Sequence, residues 1–111
     1  MARKIVDLVE DKQALDITLL DLRQITVLTD YFVLCTSQST RQTQAIIDSV
    51  ATELKQQAGL LPLHPPEGSN DSGWALIDYS DVVVHVFDAS TRSFYNLEDL
   101  WKDAAVVVKI Q

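Results

Sequence analysis

The sequence has one cysteine, Cys35, and only three glycines and three prolines among its 111 residues. A single cysteine excludes an internal disulfide, so a reducing compartment suits the chain. No apolar run approaches the ~18 residues of a membrane span. Charged residues such as Asp7 and Glu10 interrupt the N-terminal segment, which excludes a secretory signal. We therefore expect a cytoplasmic protein with no membrane partner.

Basic residues are also scarce. Nine Lys and Arg against sixteen Asp and Glu give a formal charge of −7. Because nucleic-acid binding usually depends on a basic patch, this composition disfavours direct RNA or DNA binding. An acidic surface suits a basic protein partner, although acidity also serves solubility alone. With 47% hydrophobic residues and a mean hydropathy of +0.05, the chain has material for a core, and its length predicts one domain over residues 1–111.

Hydrophobic periodicity predicts the elements of the first half of the chain. Apolar residues at helical spacing, with Leu15 as the last of them, predict a helix from Ala2 to about Asp16. Two runs rich in β-formers, at 17–22 and 31–36, predict buried strands.

The next element has clear ends. Ser39 and Gln42 form a capping-box pattern, and Gly59 is a natural helix terminator. The helix between them is expected to bury one apolar face, formed by Ile46, Ile47, Val50, Leu54 and Ala58.

The second half begins with a loop at 60–73, which holds all the prolines and two of the three glycines. A short edge strand at 60–63 is the most structure we expect there. The runs 74–79 and 82–87 predict a hairpin that turns at Ser80-Asp81.

Residues 90–101 predict a short helix with Phe94, Leu97 and Trp101 on one face, and 104–108 fit either a strand or a packed tail. The order of elements predicts an α+β fold, close to α/β, with a single mixed β-sheet of about five strands flanked by helices.

Few side chains have the setting that chemistry requires. Cys35 lies within an apolar run and fits an inert core thiol better than a nucleophile.

His64, beside two prolines, is expected to be solvated. His85 is polar among apolar strand residues. This fits internal hydrogen bonding or a face that meets a partner, and it fits catalysis least well. Asp78 and Asp81 fit turn hydrogen bonding, surface recognition or, least well, Mg²⁺ binding, since no glycine-rich phosphate loop accompanies them.

The aromatic residues near the C-terminus allow two interpretations. Trp74, Tyr95 and Trp101 fit a core by their residue type. Tyr95 and Trp101 nevertheless cluster in sequence with Arg92 and Glu98, and Trp, Tyr and Arg are enriched at interface hot spots.

Three blocks of the sequence resemble the ribosomal silencing factor (Iojap-like) family. They are DYFVLCT with STRQ at residues 30–42, EG with WALIDY and DVVVHVF at 67–87, and R-x-F-Y-x-L-E-x-L-W at 92–101. The chain departs from the family pattern at Ser37-Gln38 and at Ser80, where the family often has glycine, so turn geometry is the feature in question.

The resemblance implies a nucleotidyltransferase-like sheet without the catalytic motif, hence no enzyme and no cofactor. It implies binding to protein L-fourteen of the large ribosomal subunit, a block on subunit joining, repression of translation when nutrients are short, and a homodimer in the free state. A large-subunit assembly factor that uses the same docking site, or a nucleotidyltransferase-related enzyme, are the alternatives. The residues that the resemblance assigns to the partner-binding surface are Trp74, Asp81, His85, Arg92, Tyr95, Glu98 and Trp101.

Overall fold

The computed structural model describes residues 1–63, 65–68 and 72–111, so the prediction for His64 lies outside the described residues. The helices and strands follow in the order α1 Ala2–Asp11, β1 Leu15–Asp21, β2 Tyr31–Thr36, α2 Thr40–Ala58, β3 Trp74–Asp78, β4 Val82–Phe87, α3 Ala89–Tyr95, α4 Leu97–Leu100 and β5 Ala105–Ile110.

The five strands form one mixed sheet in the order β3-β4-β2-β1-β5. β2 and β4 pair in parallel, whereas the other three pairings are antiparallel. A parallel pair needs a long crossover, and α2 lies within it. The α+β class with one mixed sheet of about five strands is therefore confirmed.

The two faces of the sheet are covered differently. α1 and α2 pack on the first face, where alternate apolar residues of the strands form the larger core with Ile5, Val9, Ile46 and Val50. The second face carries a smaller cluster, in which Leu20, Leu34 and Phe87 are buried and the side chains above them are only partly covered. We call it the aromatic face, because aromatic rings from β2, β3 and the C-terminal helices meet on it.

Helix α1 ends at Asp11, five residues before the boundary predicted at Asp16. Gln13 and Asp16 have φ values of 63° and 48°, and this left-handed conformation cannot continue a right-handed helix. Leu15 consequently opens β1 with an exposed side chain and does not join the apolar face of the helix.

The ends of α2 follow the predicted capping chemistry with one difference. The Ser39 hydroxyl accepts from the Gln42 N–H at 3.0 Å, while the Gln42 side-chain oxygen accepts from the Gln38 N–H, one residue before the cap. Gly59 ends the helix with φ 64°. Ala58 is exposed, contrary to the prediction, because the last buried residue of the helix lies one turn earlier at Leu54.

Three predictions for the second half need correction or completion. Residues 60–63 form no strand, and the described part of the loop forms an isolated bridge between Glu67 and Leu76. The segment predicted as one C-terminal helix forms two helices, α3 and α4. Asn96 between them has φ 46°, and this left-handed conformation interrupts the helix. The break separates Phe94 from the helix that carries the later residues; its side chain is exposed, and its ring meets that of Tyr95 edge-on with centroids 5.1 Å apart. The undecided C-terminal segment is a strand, β5.

The hairpin turn between β3 and β4 generates a first prediction. Ser80 has φ 74°, a left-handed conformation that strains a residue with a Cβ atom, and its N–H donates to Asp78 Oδ1 at 2.7 Å. Ser80→Gly keeps this backbone bond and relieves the strain, so we expect the free energy of unfolding to rise by about 1 kcal/mol. Chemical denaturation measures it, with Ser80→Ala as the control that keeps the strain. A glycine variant no more stable than the alanine variant would contradict this account.

Candidate partner-binding face

His85 lies buried at the centre of the aromatic face. Trp74 Nε1 donates to His85 Nδ1 at 3.1 Å, and the Phe32 ring meets the imidazole edge-on with centroids 4.6 Å apart. The His85 ring also stacks on Phe87. Of the interpretations of His85, the structure supports the internal hydrogen bond, since the side chain is buried and accepts from Trp74.

Burial lowers the pKa of His85 from 6.5 to about 4, against a smaller opposing effect of the Asp78 carboxylate. The ring is therefore neutral near pH 7. Because Nδ1 accepts a hydrogen bond, the proton sits on Nε2. This Nε2 is buried and has no hydrogen-bond partner within the described part of the chain. His85 thus shapes the floor of the face and presents no charge to a partner.

Arg92 fastens the C-terminal helices to the sheet. Its guanidinium donates to the Asp16 carbonyl at 2.6 Å and to the hydroxyls of Thr36 and Thr18 at 2.9 and 3.4 Å. It also forms a bidentate pair with Glu98, at 3.0 and 3.1 Å. Only 11% of the Arg92 side chain is exposed. Arg92 and Glu98 therefore connect α3 and α4 to β1 and β2, and most of this arginine faces the protein's own chain.

The aromatic side chains on top of the face point partly to solvent. Tyr95 is 51% exposed and packs against Trp74 with ring centroids 4.7 Å apart. Trp101 is half-buried and meets Phe32 edge-on. Leu100, one residue earlier on α4, is exposed. Tyr95, Leu100 and Trp101 expose apolar surface along the segment of α3 and α4, which we call the ridge, and the rings of Tyr95 and Trp101 pack on Trp74 and Phe32 of the sheet.

Asp81 lies apart from this ridge. It precedes the first residue of β4, whereas Trp74 pairs with Phe87 at the other end of that strand. Asp81 and Phe87 are six residue steps apart along the strand, which is a distance of roughly 20 Å. Asp81 is exposed, and its backbone carbonyl accepts from the N–H groups of Asp30 and Tyr31. The seven residues predicted from sequence therefore divide into Asp81 at one end and the other six around the ridge.

Sequence reasoning missed Phe32 and Leu100. Phe32 alternates with Leu34 along β2, so the alternation placed it on the same face as His85 once the parallel register was known. Leu100 stands in the family block at 92–101, but nothing in the sequence indicated that its side chain is exposed, because the break at Asn96 precedes it.

The remaining candidates for chemistry have other roles. Cys35 is buried, and desolvation raises its pKa to about 12, so the thiol is protonated and inert near pH 7. Asp78 accepts from the turn N–H of Ser80, as turn chemistry predicts. Among the described residues, no three His, Cys, Asp or Glu side chains come together as metal ligands. No helix in the described segments is long and apolar enough to cross a bilayer.

The fold and this face define a small α+β protein whose distinguishing feature is a partly exposed aromatic surface. Comparison with known proteins then gives the family. The whole sequence, residues 1–111, matches the family described as ribosomal silencing factor during starvation. The chain belongs to this family, which concerns the regulation of translation.

Individual relatives agree with this assignment. The chain is 45% identical over 97 residues to the ribosomal silencing factor RsfS of Bacillus subtilis, covering 86% of this chain and 79% of that one. It is 30% identical over 98 residues to the mouse protein named mitochondrial assembly of ribosomal large subunit protein 1, covering 87% of this chain but 43% of the mouse protein. A crystal structure from Chromobacterium violaceum superposes with a TM-score of 0.82 at 32% identity, covering 97% of this chain and 93% of that chain.

The depressed pKa of His85 predicts acid sensitivity. The unfolded chain binds a proton at this site near pH 6.5, whereas the folded protein resists it until about pH 4. The stability that His85 contributes is thus complete above pH 6.5 and is lost as pH falls towards 4. The loss approaches about 1.4 kcal/mol per pH unit within this window. Denaturation across pH, compared with His85→Gln, isolates the effect of this one side chain. Equal pH slopes for the two proteins would show that His85 is not buried as described.

Loss of the Arg92 guanidinium should loosen α3 and α4. We expect Arg92→Ala to lower the free energy of unfolding by about 2 kcal/mol, because it leaves Glu98 and two buried hydroxyls without their donor. Tryptophan fluorescence should also shift to the red as Trp74 and Trp101 gain water. Arg23→Ala is the matched control, since Arg23 pairs with Asp21 on the surface and its loss should cost far less. Equal losses from the two variants would refute the fastening role of Arg92.

Proposed function

We propose that this chain binds the large ribosomal subunit through ribosomal protein L-fourteen and sterically blocks joining of the small subunit. Translation would thereby be repressed when nutrients are limiting. Family membership supports a role at the ribosome, and the bacterial relatives carry the name ribosomal silencing factor. The partly exposed aromatic ridge on α3 and α4 is the observation that carries the proposal, because it is a surface suited to a protein partner.

The proposed docking surface centres on Tyr95 and Trp101, with Leu100 beside them. Aromatic side chains with rigid inner edges supply contact area at little entropic cost, and Tyr and Trp are the residue types that dominate interface energies. Arg92 and Glu98 act by holding this surface in place. Trp74 and His85 support it from below, and Asp81 adds charge at the far end of the sheet.

The charge of the protein fits the proposed partner. A net charge of −7 opposes binding to RNA phosphates and favours a basic protein, with attraction that steers association. We accordingly propose no sequence-specific nucleic-acid contact, no membrane contact and a cytoplasmic location, where ribosomes are found.

The dimensions of the molecule support steric exclusion. The Cα radius of gyration is 12.7 Å and the extents are 32 × 32 × 24 Å. A body of this thickness on a subunit face that must contact the other subunit would hold the two surfaces apart. The block then needs no catalysis, and its strength depends on competition between two binding equilibria.

We propose that the chain works as a single domain, without enzymatic activity or cofactor, and that it forms a homodimer when free. The titratable groups of the aromatic face support the non-enzymatic role, since they serve packing: His85 accepts from Trp74, and Arg92 donates to the protein's own backbone and side chains.

Assembly of the large subunit is the second candidate function. The name of the mouse relative refers to assembly of the mitochondrial ribosomal large subunit. Both roles would use the same docking surface. They differ in growing cells, where loss of an assembly factor leaves precursor subunits and loss of a silencing factor does not.

Sedimentation of purified ribosomal subunits tests the proposal. Excess protein should shift large subunits into a pool that fails to join small subunits, without nucleotide, whereas preassembled ribosomes should resist. We expect Tyr95→Ala to weaken binding by ~2 kcal/mol or more, as for a central aromatic anchor, and to relieve the block in step. Tyr95→Phe keeps the ring and serves as the matched control. If the subunits still join while the protein stays bound to the large one, steric exclusion is wrong.

A further inference from the structure

The loop between β1 and β2 exposes apolar side chains that the fold does not use. Val27 is fully exposed, Leu28 is 80% exposed and Ile25 is 39% exposed. Single exposed apolar residues are common, but three within four positions on one loop form a patch. Both polar residues and glycine would suit a surface loop better, so the patch calls for a role outside folding.

The loop is held in a defined shape by its own bonds. The Leu22 N–H donates to the Asp30 carbonyl at 2.8 Å and closes the loop at its base. Near the tip, the Leu28 N–H donates to Thr26 Oγ1 at 3.1 Å. Leu22 and Thr29 are buried and anchor the two sides. These bonds fix the position of the apolar tip. Binding of a partner therefore costs little conformational entropy for ordering the loop.

The base of the loop adjoins the proposed docking surface. Leu22 belongs to the same buried cluster as Leu20, against which Trp101 packs. On the other side, the Asp30 and Tyr31 N–H groups donate to the Asp81 carbonyl at 3.0 Å, which ties the loop to the hairpin turn. The tip thus lies at the end of the sheet where Asp81 stands, beyond the Trp101 end of the ridge.

The charges around the tip indicate the kind of partner. Asp30 and Asp81 are exposed and flank the loop. The nearby Arg23 is engaged by Asp21 through a bidentate pair, at 2.8 and 3.0 Å for its closest bonds, so its charge is balanced locally. An apolar tip between carboxylates is complementary to a basic protein surface with an apolar recess, and it would repel phosphates.

We infer that the 22–30 loop is a second contact arm, which inserts Val27 and Leu28 into an apolar recess on a basic protein surface of the large ribosomal subunit. This inference rests on the proposed function and extends its docking surface over the end of the sheet. It also gives Asp81, which lies far from Tyr95, a place in the same interface.

Binding to purified large subunits tests the arm. Val27→Ser/Leu28→Ser should weaken binding about tenfold to a hundredfold, as expected for two apolar side chains removed from a contact. Leu61→Ser/Leu63→Ser is the matched control, since these leucines are 65% and 64% exposed and lie in the 60–63 segment that passes the outer edge of β3. The control should bind like the unmodified chain. Thermal unfolding of both variants should be unchanged, because neither pair is buried.

The outcomes separate this inference from the proposed function. If Tyr95→Ala weakens binding and Val27→Ser/Leu28→Ser does not, the arm is refuted and the docking surface stands. If neither weakens it, both proposals fail. A variant that changes only self-association of the free protein would assign the loop to a second copy of this chain and overturn the inference. An equal loss of binding to protein-free large-subunit RNA would overturn it as well.

Discussion

The parallel pairing of β2 with β4 is the constraint on which the other elements depend. It forces the chain to cross from one strand to the other through α2, and it leaves β3 and β1 to pair on the two outer sides. The same pairing aligns Leu34 with His85 and Thr36 with Phe87, which sets the floor of the aromatic face. The Asp81 carbonyl extends the contact beyond the strands and holds the 22–30 loop against the hairpin turn.

The two faces of the sheet are covered by different kinds of interaction. On the first, α1 and α2 bury mainly aliphatic side chains in a continuous core, which is stabilised by the removal of apolar surface from water. On the second, two short helices with no buried residue of their own are held by the Arg92 guanidinium and by ring contacts. This cover leaves Tyr95 and Leu100 exposed, so the weaker packing and the accessible surface have the same origin.

This arrangement is compatible with the proposed action of the protein, which is to occupy space on the ribosomal subunit. His85 Nδ1, Arg92 and Glu98 are hydrogen-bonded to other groups of the same chain, which fixes the shape of the surface. The apolar tip at Val27 and Leu28 and the ridge at Tyr95 and Trp101 are two exposed apolar areas on one small body. Rigid contacts favour affinity because little ordering remains to be done on binding.

Local signals in the sequence were enough to predict the capped helix that ends at Gly59, the hairpin at Ser80 and the alternating strands. The sequence also identified the family, because three blocks of residues occur in the same order as in that family. Only the tertiary structure decided that Arg92 faces inward, because its acceptors lie up to 76 positions away in sequence. The separation of Asp81 from Tyr95 likewise follows from strand direction, and the exposure of Phe94 and Leu100 follows from the left-handed Asn96. Periodicity records which residues share a face of one element, whereas the partner of that face depends on contacts between residues distant in the chain.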